Sequence, residues 1–159
     1  MKKVLIALDY DASAQKVAEA GHALATAIKA EVILLHVIAD PVYYTSTVYS
    51  PIMGFGGFMD VDLLQPDLMD QLNKTSLDFL NSTKRHLGDE AIRTLVTDGD
   101  SASSIIASAK ELSADIIVIG SHSRKWLENI VMGSVTEEVL NDTTIPLFII
   151  PIKKVDSNL

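Results

Sequence analysis

The sequence predicts an α/β fold, a three-layer α/β/α sandwich with a five-stranded parallel sheet between two layers of helices. Two observations carry that expectation. Five short apolar runs, near residues 4–8, 32–38, 92–96, 115–120 and 147–150, are separated by segments with apolar residues at helical spacing. The first two runs are also far enough apart to hold the crossover helix that a parallel return requires.

Val4-Leu5-Ile6-Ala7-Leu8, closed by Asp9, is too short for a helix and fits a strand buried on both faces. Asp11 and Ser13 are cap candidates for the helix that follows. In it Val17, Gly21, Leu24 and Ile28 share a face, opposite Gln15, Lys16 and Glu19. Gly21 within that face costs helix stability and points to close packing. Val32 to Ile38 is a second buried strand and completes a βαβ unit. Residues 41–65 break the pattern, with Tyr43, Tyr44, Tyr49, Pro51, Gly54, Gly56 and Gly57 and no Lys or Arg. They read as a long insertion over the sheet edge, either a surface flap or a segment packed on the body or on a partner.

Pro66 suits a helix start, with Asp67 and Asp70 in the favourable first turn. Leu68, Leu72, Phe79 and Leu80 supply an apolar side through to Leu87, and Gly88 ends the helix. Ile92 to Val96 is a weaker third strand. Asp100 or Ser101 caps the next helix, whose Ile105, Ile106, Ala109 and Leu112 face inward. Asp115 to Gly120 is the clearest central strand. The last helix starts near Gly133-Ser134 and runs to about Leu140. Leu147 to Ile150 is the fifth strand, with Pro146 and Pro151 at its ends, where proline is tolerated.

The 159 residues fit one domain, 1–152, with a polar tail at 153–159. Hydrophobic residues at 48% and charged residues at 21% describe a chain that folds rather than a disordered one. Thirteen Lys plus Arg against 21 Asp plus Glu give a net charge of -8, which argues against a nucleic-acid partner. It does not argue against a small anion held by backbone amides. Cysteine is absent, which excludes disulfides, thiolate metal sites and cysteine nucleophiles. No leader is evident and no apolar segment is long enough to span a bilayer, so a cytoplasmic protein without a membrane partner is expected. His22, His36, His86 and His122 show no metal-ligand spacing, and no Ser–His–Asp arrangement implies a dedicated enzyme.

In open α/β sheets, ligands sit beyond the carboxyl ends of the strands. The candidates are Asp9 to Asp11, His36 to Asp40, Asp98 to Ser101, and the loop after Gly120. That loop runs from Gly120 to Ser134, with Ser121 and Ser123, two cations and a helix start. Free amides at a helix N-terminus beside hydroxyls form an anion site. The alternative is that Gly120 and Gly133 only bend the chain while Ser134 caps the helix in a capping box with Glu137. Neither a Walker A loop nor the dinucleotide fingerprint is present.

The chain resembles the universal stress proteins of the UspA superfamily. The resemblance rests on Val4 to Asp9, the helix from Ser13, Glu31 to Val37, Gly99 to Ile105, and Asp115 to Ile150. Its most specific part is the family's loop of Gly, two residues, Gly, nine residues, Gly, then Ser or Thr. Here Gly120, Ser123, Gly133 and Ser134 keep that spacing, with Ser123 in place of the middle glycine.

The resemblance implies the sheet order 3-2-1-4-5 and an adenine nucleotide as ligand: ATP, with AMP or ADP as alternatives. Magnesium would enter through the phosphates. It implies that Ala7 and Asp9 touch adenine and ribose, Asp9 accepting from ribose hydroxyls, and that Val37 packs on adenine. Gly120, Ser123, Gly133, Ser134 and Val135 match the positions around the phosphates, and Ser121 beside Gly120 joins the candidate set.

Ser123 either strains a backbone that needs positive φ or donates its hydroxyl to phosphate. Trp126 stands where small residues are common in the family, and Arg124 and Lys125 either neutralise phosphate or are solvated. The resemblance also implies a homodimer, often through the last strand, and turnover no faster than slow ATP hydrolysis. Two functions are therefore expected: a nucleotide-binding regulatory or stress-response module, or a nucleotide-free dimeric interaction protein acting through the insertion and the dimer surface.

Overall fold

Burial on both faces organises the sheet. The computed structural model describes residues 1–39, 67–121 and 133–152. Its strands are β1 (Lys3–Ala7), β2 (Glu31–Ile38), β3 (Arg93–Asp98), β4 (Ile116–Gly120) and β5 (Leu147–Ile150). The described helices are α1 (Ala14–Ala27), α2 (Asp67–Leu87), α3 (Ser101–Glu111) and α4 (Ser134–Asp142). The sheet has order β3-β2-β1-β4-β5, and every pairing is parallel. This is the predicted order. The insertion 41–65, Pro66, His122 to Trp126 and the tail 153–159 lie outside the described residues.

Alternate strand residues serve opposite layers, as the strand period of two requires. Val4, Ile6, Val32, Leu34 and Val118 pack with Val17, Ala18 and Ala25 of α1 and Leu80 of α2. Leu5, Ile33, Leu35, Val37, Ile117 and Ile119 pack with Ala102, Ile105, Ile106 and Ala109 of α3 and Val139 of α4. The three central strands therefore read as continuous apolar runs because both faces are dry. Gly21 lets α1 approach the sheet. A Cβ there would stand 2.7 Å from Ile6 Cδ1 and 3.1 Å from Val118 Cγ1.

Three local expectations are corrected. The third strand runs to Asp98 rather than ending at Val96, because β2 offers a ladder that pairs Val37 with Thr97 and Ile38 with Asp98. As an edge strand it is only half covered, so its apolar run understates its length. Ser13 does not cap α1 with its side chain; its own φ of −79° and ψ of −11° are already helical. Asp11 instead accepts the Ser13 N–H at 2.8 Å. Ser134 is not the cap of α4 either. Gly133 is the N-cap, and the Glu137 N–H donates to its carbonyl at 2.9 Å, so the capping box weighed as the alternative does not form.

Candidate functional site

The order β2-β1-β4 brings three strand ends side by side, and a cleft opens beyond them. Ala7, Leu8, Asp9, Leu35, Val37, Ser101, Ile105, Ile119, Gly120, Ser134, Val135 and Thr136 line it. It holds about 600 Å³ of empty space, counted out into open solvent.

Its floor is apolar because Ala7, Leu35, Val37 and Ile119 all lie on the α3/α4 face of the sheet. Ile105, one turn after Ser101 on α3, forms part of the wall. Asp9 stands where β1 gives way to loop. One of its oxygens, Oδ1, accepts the Tyr10 N–H at 2.9 Å, and the residue is half-buried at the rim.

The helix starts after β1, β3 and β4 lie at this end of the sheet, and their caps differ. α1 has the Asp11 carboxylate over its entry. α3 is closed by Asp100, whose Oδ2 accepts the Ser103 N–H at 3.0 Å. The Ser103 N–H, and then its hydroxyl, hold the Asp100 carboxyl below its usual range. α4 begins at Gly133, which brings no side chain to its leading amides. The macrodipole and those amides favour an anion. α4 has Glu137 in its first turn but glycine at its cap, so of these three starts it is the one whose cap brings no carboxylate.

The start of α4 is pinned in place. The Thr136 hydroxyl donates to the Gly120 carbonyl at 2.7 Å. The Gly133 N–H donates to the Ser121 carbonyl at 2.9 Å, which ties the cap of α4 to the residue after β4. At Gly133 φ is −67°, so the backbone there does not itself demand glycine.

Six of the nine residues named from sequence, namely Ala7, Asp9, Val37, Gly120, Ser134 and Val135, line one cleft. Gly133 is buried immediately beside it as the cap of α4. Ser121 is turned elsewhere: its Oγ accepts the Ile152 N–H at 2.9 Å, tying the end of β4 to the end of β5. Ser123 lies outside the described residues.

Sequence reasoning passed over several lining residues. Leu35 was available as the neighbour two positions before Val37, on the same strand face. Ile105 lies one turn beyond Ser101, which was already a candidate within Asp98 to Ser101 and does line the cleft. Among the described residues, no group of three His, Asp or Glu side chains is placed to hold a metal ion. No described helix is long and apolar enough to cross a membrane.

Residues 1–151 match the model of the Universal stress protein family. The universal stress protein MJ0577 of Methanocaldococcus jannaschii is 28% identical over 152 residues, covering 94% of each chain. A solved structure of MJ0577 superposes with a TM-score of 0.72 at 26% identity, over 97% of this chain and 98% of that one. Two more distant structures share the fold. A universal stress protein from Archaeoglobus fulgidus, solved with dAMP, has a TM-score of 0.61 at 17% identity, over 94% of this chain and 97% of that one. A universal stress protein solved with cAMP has a TM-score of 0.61 at 17% identity, over 94% and 95%. A match that spans both helical layers and every strand end at the cleft leaves one assignment: the chain belongs to the Universal stress protein family.

Proposed function

We propose that this chain binds an adenine nucleotide in the cleft between β1 and β4 and acts as a regulatory or stress-response module in the cytoplasm. The observation that carries the reading is one opening shared by three chemistries. An apolar floor of Ala7 and Val37 suits a base, the Asp9 carboxylate suits sugar hydroxyls, and the α4 start, with glycine at its cap, suits phosphate. Fold relatives solved with cAMP and with dAMP support the same ligand class.

In this reading Ser134 adds a hydroxyl, and Gly120 and Val135 let the phosphates approach the backbone. Ser121 braces the loop rather than touching ligand, while Ser123 belongs to the phosphate loop. ATP is the first candidate, with ADP and AMP as alternatives. Magnesium, if it enters, is held mainly by phosphate oxygens. Each charge-assisted hydrogen bond to phosphate is worth about 1.5–3 kcal/mol, so two or three supply only part of the roughly 8 kcal/mol that micromolar affinity takes, and burial of the base on the apolar floor has to supply the rest.

The same reading makes the protein a homodimer that covers the free edge of β5. Phe148 there is 39% exposed although its neighbour Ile150 is buried. Mass spectrometry of material released by denaturing freshly purified protein tests the ligand. An adenosine phosphate is expected. A stoichiometric small molecule of another class would contradict the reading.

A further inference from the structure

Asp9 and Tyr10 are adjacent in sequence but serve opposite faces of the sheet. Asp9 borders the cleft, whereas Tyr10 does not line it. The Tyr10 ring lies against His36 at 4.5 Å and Phe79 at 4.9 Å between centroids. His36 sits between Leu35 and Val37 and points away from the cleft those two line. Its Nδ1 is 2.9 Å from the Leu8 carbonyl, in the same turn that carries Asp9. The Tyr10 hydroxyl donates to Ser76 Oγ on α2 at 3.0 Å, and Ser76 is buried. Burial raises the Tyr10 phenol above its ordinary value; the Ser76 bond opposes this and Asp78 adds to it. The hydroxyl therefore keeps its proton and stays a donor at neutral pH.

These contacts fix a residue whose backbone N–H donates to Asp9 Oδ1 at 2.9 Å. We infer that Tyr10 is a positioning residue for the Asp9 carboxylate, clamped to α2 and β2 so that its N–H presents that carboxylate to the ribose of a bound nucleotide. The inference rests on the nucleotide reading of the cleft and extends it across the sheet. An element on the far layer, α2, then helps set how strongly the sugar is held. Tyr10 acts only through Asp9, so its effect is confined to ligands that have ribose hydroxyls.

The test compares AMP with 2′,3′-dideoxy-AMP on wild type, Tyr10→Phe, Ser76→Ala and Tyr10→Ala. Tyr10→Phe and Ser76→Ala remove one hydrogen bond and keep the packing. They are expected to weaken AMP about threefold and to leave the dideoxy ligand unchanged. Tyr10→Ala removes the ring and is expected to weaken AMP about tenfold, with the dideoxy ligand within about twofold. Equal losses for both ligands would reduce Tyr10 to a general structural role and overturn the inference. So would unchanged AMP affinity in Tyr10→Ala.

A ligand-free arm separates this inference from the nucleotide reading. Ser76→Ala should speed hydrogen exchange at the Tyr10 amide about threefold, measured by NMR. No acceleration overturns the clamp. Wild type that binds none of AMP, ADP and ATP defeats the nucleotide reading instead, and the exchange result still decides whether the clamp exists.

Discussion

Gly21 shows how one residue holds a helix against the sheet. Adding a methyl there gains about 1 kcal/mol of helix propensity, while overpacking a filled core costs roughly 1–3 kcal/mol. The new Cβ would meet Ile6 Cδ1 at 2.7 Å, Ile6 Cγ1 at 3.0 Å and Val118 Cγ1 at 3.1 Å. The Ile6 terminus is flexible, but Ile6 and Val118 are fully buried on central strands and have little room to yield. The strain wins: Gly21→Ala is expected to lower stability by about 1 kcal/mol, a fall in Tm of about 2–4 °C. A rise in Tm would show that propensity decides at this position. The close packing at Gly21 was legible in the sequence because a glycine sat on an otherwise apolar helical face. The idle side chain of Ser13 was not, because a serine before a helix reads as a cap until its own dihedrals prove helical.

At the scale of elements, the phase of one helix start decides the chemistry of the site. The run Gly133-Ser134-Val135-Thr136-Glu137 carries a capping-box signature if Ser134 stands at the cap. The Thr136–Gly120 and Gly133–Ser121 bonds hold the start one residue earlier, so Ser134 is the first helical residue and is exposed. That shift depends on contacts with the end of β4, which a local pattern does not encode. Ile105 was missed for a related reason: whether α3 turns a face to the cleft depends on sheet order.

The open start also yields a prediction with two opposite signs. Ser134→Asp places a carboxylate in the first turn of α4, which should stabilise the helix by about 0.3–1 kcal/mol. The same charge should repel phosphate and lower nucleotide affinity at least tenfold. Thermal melting and calorimetric titration of one variant read both effects. A more stable protein with undiminished affinity would remove phosphate from the α4 start.

Across the whole molecule, the apolar runs located the strands well wherever both faces are buried, as in β1, β2 and β4. They did worse at the β3 edge, where exposure thins the signal. The strand order came from family resemblance rather than from any single run. Cleft positions at the strand ends became legible once that order was in hand. The unpaired side of β5 carries the assembly claim. Wild-type protein at micromolar concentration is expected to sediment at about twice the monomer mass, and Phe148→Asp at the monomer mass. A monomeric wild type across the accessible concentration range would refute the edge pairing.

The central claim is that the cleft beside Asp9 and the α4 start takes an adenine nucleotide. Calorimetric titration of nucleotide-stripped protein with ATP, ADP and AMP, with and without magnesium, measures this most directly. The account predicts saturable binding of at least one of them with one nucleotide per chain. It also predicts weaker binding at higher salt, because part of the attraction is electrostatic. No heat, together with no competition by millimolar nucleotide in a spectroscopic assay, would contradict it and leave the nucleotide-free interaction protein as the better account.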